Sequence, residues 1–92
     1  MPVRAAVGLV ETRSGTSVTL RCAYDESENA TKQEYSLYAV AHSGESESIG
    51  SWSVGPGDEY TTTTGTRFKR SDIKSLEIRR TDGNKPVLRA DL

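Results

Sequence analysis

Apolar and polar residues alternate along most of this chain with the period of two that sends successive side chains to opposite faces of a β-strand. The pattern is cleanest from Thr16 to Tyr24, where Val18, Leu20, Cys22 and Tyr24 fall on one side and Ser17, Thr19 and Arg21 on the other. Such a strand belongs to a sheet with one face in water. Val3 to Val10 repeats the rule, with Val3, Ala5, Val7 and Leu9 sharing a face. Tyr35 to His42 sets Tyr35, Leu37, Ala39 and Ala41 against Tyr38 and Val40, so both faces are partly apolar and a central place in a sheet is expected. Ser46 to Val54 carries Ile49, Trp52 and Val54. Because Ile49 and Trp52 are three apart, a bulge near Gly50 is needed to point both inward. Asp58 to Thr66, rich in Thr and anchored by Tyr60, reads as an edge strand. Lys74 to Arg80 and Val87 to Asp91 form a last hairpin.

Turn formers separate these segments. They are Arg13-Ser14-Gly15, Ser43-Gly44 with Glu45, Gly55-Pro56-Gly57 and Thr81-Asp82-Gly83-Asn84. Asp25 to Gln33 has no apolar period and is expected to be an exposed loop. Ser71 suits a helix N-cap, and Ile73 and Leu76 are spaced for one helical turn, but Ile78 falls off that face and fits a strand. With no helices alternating with strands, a parallel α/β arrangement is disfavoured. The pattern predicts one domain over residues 1–92, an all-β, antiparallel immunoglobulin-like sandwich of about seven strands with a short helical turn near residues 71–75. Its predicted core is Val18, Leu20, Cys22, Leu37, Trp52, Leu76, Ile78 and Leu88.

Composition makes that core thin. Apolar residues are 34% of the 92, below the ordinary share of about 45–50% even when glycine is added. A chain this short buries only about 60–65% of its unfolded surface, so one core is all it can form. Twelve Lys and Arg are interspersed with thirteen Asp and Glu, and nucleic acid, which calls for a basic stripe, is an unsuitable partner. The densest basic cluster, Arg67, Lys69 and Arg70, runs straight into Asp72 and reads as a solvated face.

The residues of an enzyme are scarce. His42 is the only histidine, placed before a Ser-Gly turn, and Cys22 is the only cysteine. Neither a nucleophile with its base nor a closed zinc site can be assembled from them. Without a second cysteine there is no disulfide, and the Cys-Trp-Cys pattern of antibody domains is incomplete. Cys22 then reads as a small buried hydrophobe and Trp52 as the largest core piece. Glu45 and Glu47 on one strand, and Asp25, Glu26 and Glu28 in the loop, read as solubilising charge. Asn29-Ala30-Thr31 matches a glycosylation acceptor in the same loop. No apolar run reaches the length of a membrane span. The expectation is a non-catalytic domain without metal or cofactor that meets a protein partner. Tyr38 and Tyr60 are the candidate contacts, since aromatic anchors and sheet edges dominate such encounters.

From Gly15 onward the order of segments resembles the C-terminal, extracytoplasmic region of bacterial zinc-finger anti-sigma factors. The resemblance is carried by Gly15-Thr16-Ser17-Val18-Thr19-Leu20-Arg21-Cys22-Ala23-Tyr24, Tyr35-Ser36-Leu37-Tyr38-Ala39-Val40, and Ile49-Gly50-Ser51-Trp52 with Gly55-Pro56-Gly57. It continues in Thr64-Gly65-Thr66, Asp72-Ile73-Lys74-Ser75-Leu76-Glu77-Ile78-Arg79 and Asp82-Gly83-Asn84-Lys85-Pro86-Val87-Leu88. It implies a longer protein with an N-terminal sigma-binding domain, a His and Cys zinc motif and a membrane helix, none of which this chain contains. By the resemblance, the chain is an excised or stand-alone outer domain whose signal controls release of a sigma factor. No ligand or catalytic residues carry over. The alternative expectation is a generic immunoglobulin-like or fibronectin-like interaction module.

Overall fold

Seven strands form where the alternation places them: β1 (Val3–Thr12), β2 (Gly15–Tyr24), β3 (Gln33–Ala41), β4 (Ser46–Val54), β5 (Glu59–Thr66), β6 (Ile73–Arg80) and β7 (Pro86–Asp91). The computed structural model describes residues 3–24, 33–55, 57–83 and 85–92, and the side chain of Val3 is not among what it describes. Asp25, Glu26, Glu28, the Asn29-Ala30-Thr31 acceptor, Pro56 and Asn84 lie outside the described residues.

The strands make two antiparallel sheets, ordered β1-β2-β5 and β4-β3-β6-β7. Hairpins join β1 to β2, β3 to β4 and β6 to β7, while the links β2 to β3, β4 to β5 and β5 to β6 cross between sheets. This is an immunoglobulin-like Greek-key sandwich in its three-plus-four form, with β4 on the β3 edge instead of beside β5. As expected from their patterns, β3 is central and β5 is an edge.

Two kinks in register settle where the period of two breaks. Leu37 pairs with Gly50 and Tyr38 with Ser48, so Ile49 is the extra residue of a bulge and both Ile49 and Trp52 are buried. Val40 pairs with Ser75 and Ala41 with Ile73, so Lys74 is likewise extra and exposed while Ile73 and Leu76 turn inward. The spacing of Ile73 and Leu76 is therefore that of a bulge and not of a helix. The helical turn lies earlier than expected: it is a 3-10 turn over Arg70–Asp72, preceded by Lys69 at the cap position with no side-chain capping bond, and Ser71 sits inside it.

Val18, Leu20 and Cys22 from the first sheet meet Leu37, Ala39, Trp52, Ile73, Leu76 and Ile78 from the second in one core. Leu88 is only partly buried against it, because β7 is an edge strand with no neighbour on its far side among the described residues.

The two sides of the sandwich are closed differently. Where β5 passes β4, Thr64 Oγ1 donates to the Ile49 carbonyl at 2.5 Å and Thr66 Oγ1 donates to Glu47 Oε1 at 2.7 Å. The Arg67 amide donates to the same Glu47 oxygen at 3.1 Å. On the opposite side, between β1 and β7, a cavity of about 140 Å³ opens inward to Leu20, Leu37, Leu76 and Ile78, with Ala5, Val7 and Leu88 at its mouth.

Candidate functional site

Tyr60 and Tyr38, the two aromatic residues singled out as contacts, lie on different faces. Tyr60 points inward from β5 and stacks on Trp52 with ring centres 5.0 Å apart and planes 12° off parallel. Tyr35 lies 6.4 Å beyond Trp52, and Tyr24 is 5.1 Å from Tyr35. Four strands each contribute one ring to this column because Cys22 faces Tyr60, and Tyr35 faces Trp52, in the ladders. Trp52 Nε1 donates to the Tyr24 hydroxyl at 2.7 Å, and that hydroxyl is also bonded to the Cys22 thiol. Burial pushes the pKa of both Cys22 and Tyr24 up, since neither anion would be solvated there. The hydrogen bond between them works against the rise at Cys22 and adds to it at Tyr24, where the bond from Trp52 works against it. The column holds one end of the sandwich together.

Tyr38 stands on the outer face of the four-stranded sheet, half-buried and directly opposite Glu77 on β6. The Arg79 guanidinium lies over its ring, 4.1 Å from the centre, and Arg79 Nε donates to Glu77 Oε1 at 2.9 Å. With side-chain exposures of 18% and 13%, Arg79 and Glu77 are far drier than an ordinary surface ion pair. Arg79 is fixed from two directions, by the Tyr38 ring and by Glu77, so little of its side-chain entropy is left to lose when a partner covers it. Alternation with Leu76 and Ile78 marks Glu77 and Arg79 as outward, but only the β3–β6 register reveals that they meet Tyr38.

The remaining candidates disperse. His42 is exposed in the β3–β4 turn, its amide donating to the Asp72 carbonyl. Arg67 leaves the basic cluster and turns to Glu45 and Glu47, at 3.0 and 3.7 Å. Among the described residues no three His, Cys, Asp or Glu side chains converge as a metal site, and no helix is long and apolar enough to cross a membrane.

The fold and this face define an immunoglobulin-like β-sandwich domain. Compared with family models, curated proteins and solved structures, the chain matches none.

Proposed function

We propose that this chain is a non-catalytic binding module that meets a protein partner through the outer face of its four-stranded sheet, centred on Tyr38, Glu77 and Arg79. The reading is carried by the fixed Tyr38–Arg79–Glu77 arrangement, since Tyr and Arg held rigid on strands are the residue types that dominate interface energetics. Tyr60, partly buried and stacked on Trp52, is left out of this proposed contact. The regulatory context is that of the resemblance: the outer domain of an anti-sigma factor, placed outside the cell membrane by an upstream helix and controlling release of a sigma factor through this contact.

A photo-crosslinking side chain at position 38, introduced in the native host, should capture one protein. An Arg79→Ala variant that keeps its fold should lose that product. Crosslinks formed from Thr19 or Thr63 on the other sheet, with none from position 38, would overturn the assignment of the face. The context has its own test: the reading frame upstream of Met1 should encode a His and Cys zinc motif and a membrane helix. A frame coding for neither removes the anti-sigma reading and leaves the binding module standing.

A further inference from the structure

We propose that β1 is a self-association edge, pairing antiparallel with β1 of a second copy about a two-fold axis at Val7 to make a continuous six-stranded sheet.

The backbone direction at this edge follows from the ladders. The Tyr24 amide donates to the Asp58 carbonyl, one step beyond the Ala23–Glu59 pair, so even-numbered β2 residues bond to β5 and odd-numbered ones to β1. Those odd residues face Arg4, Ala6, Gly8, Val10 and Thr12. The N–H and C=O groups of Val3, Ala5, Val7, Leu9 and Glu11 therefore point away from β2, and among the described residues no strand pairs with β1 on that side.

Sheet edges of this kind are usually blunted by bulges, proline, charge or cover. The other three edges have such devices. β4 is bulged at Ile49 and carries Glu47, and β5 is tied to β4 by Thr64 and Thr66. β7 is six residues long, starts at Pro86, carries Arg89 and Asp91 and has a register shift against β6. β1 has neither bulge nor proline, and its two charges, Arg4 and Glu11, stand second from its ends, with the 3-10 turn as its near neighbour. It is ten residues long with unbroken register, and Ala5 to Val10 contains neither charge nor proline. Val10, at 67% exposure, is one of two large apolar residues left in water among those described.

A second copy fits this edge in one register. With Val7 opposite Val7, Ala5 faces Leu9 of the second copy, Val3 faces Glu11, and every residue with an outward amide meets another. Odd faces odd and even faces even, so both sandwiches keep their inner faces on the same side of the joined sheet. Leu9 of the second copy then stands across from the small Ala5, beside the mouth of the cavity between β1 and β7. On the outer face Ala6 meets Gly8, and Arg4 meets Val10. Parallel pairing in register would instead set Arg4 directly against Arg4.

Stable interfaces engage about 20–30 residues a side, and this ladder engages far fewer, so the dimer is weak and dependent on concentration. Sedimentation of the full chain from about 10 μM to about 1 mM should show mass rising from 10.0 kDa toward twice that value. Over the same range the amides of Ala5, Val7 and Leu9 should gain protection from hydrogen exchange, and those of Val87 and Arg89 on β7 should not. Val7→Lys should raise the dissociation constant at least tenfold. Val7→Pro should do the same, because the amide it removes makes no bond within the domain. Val87→Lys should leave association unchanged. A chain that stays monomeric at the highest concentration overturns the proposal, as does a dimer protected at β7 or one indifferent to both substitutions at Val7.

Discussion

Gly15 opens β2 with a φ of 151°, and a β-carbon there would collide with the Thr66 carbonyl oxygen and come within 2.9 Å of the Arg67 carbonyl carbon. Both are backbone atoms and cannot step aside. Gly15→Ala should cost about 2 kcal/mol or more, read as a lower urea midpoint with unchanged slope. At the other end of the sandwich, Trp52 and Tyr24 share one buried bond. Trp52→Phe leaves the Tyr24 oxygen without its donor and should cost about 2–4 kcal/mol. Tyr24→Phe should cost about 1–2 kcal/mol. The two together should cost less than their sum, because the second change removes a group the first has already orphaned. The same burial sets the pH response. Cys22 and Tyr24 have folded pKa values above their ordinary 9.0 and 10.0, so their contribution to stability is complete below those values. It is lost as pH rises past them, since the unfolded chain then holds fewer protons than the folded one. Unfolding free energy should fall from about pH 9 upward, and Cys22→Ala should flatten the first part of that fall.

At the scale of elements, the β4–β5 seam separates an ion pair that matters from one that does not. The Glu47 carboxylate accepts from both the Thr66 hydroxyl and the Arg67 amide, whereas the Glu45 carboxylate is bonded to the Arg67 side chain and is 63% exposed. Glu47→Ala should destabilise by about 1–2 kcal/mol, since it strands two donors at once. Glu45→Ala should change thermal midpoints within error, as exposed pairs generally do. Bulges are the second lesson of this scale. Ile49 and Trp52, and likewise Ile73 and Leu76, are three residues apart and both inward. A spacing of three fits a bulged strand and a helical turn equally well. Gly50 tipped the first pair toward a bulge, and Ser71 tipped the second toward a short helical turn, which is present over Arg70–Asp72 and ends before Ile73.

For the whole molecule, two of the five strand pairings, β2–β5 and β3–β6, join strands far apart in sequence, and among the described residues the only helical element is one 3-10 turn. Long-range pairing makes chain closure the slow step. Refolding followed by the fluorescence of the single Trp52 should take milliseconds to seconds; a microsecond phase carrying the full signal would contradict this. The sandwich is also lopsided, bonded shut between β4 and β5 and open to an apolar cavity between β1 and β7. That asymmetry is invisible in any one strand.

Which residues turn inward was legible in the chain itself. Val18, Leu20, Cys22, Leu37, Trp52, Leu76 and Ile78 are all buried, because sorting between water and interior acts on side chains a fixed step apart along one strand. Which strands become neighbours was decided only by tertiary structure. Tyr38 meets Arg79 across a gap of forty-one residues, and Tyr60 is claimed by Trp52, through registers that depend on how links between sheets cross. A period of two fixes the face of a side chain and says nothing about what stands beside it.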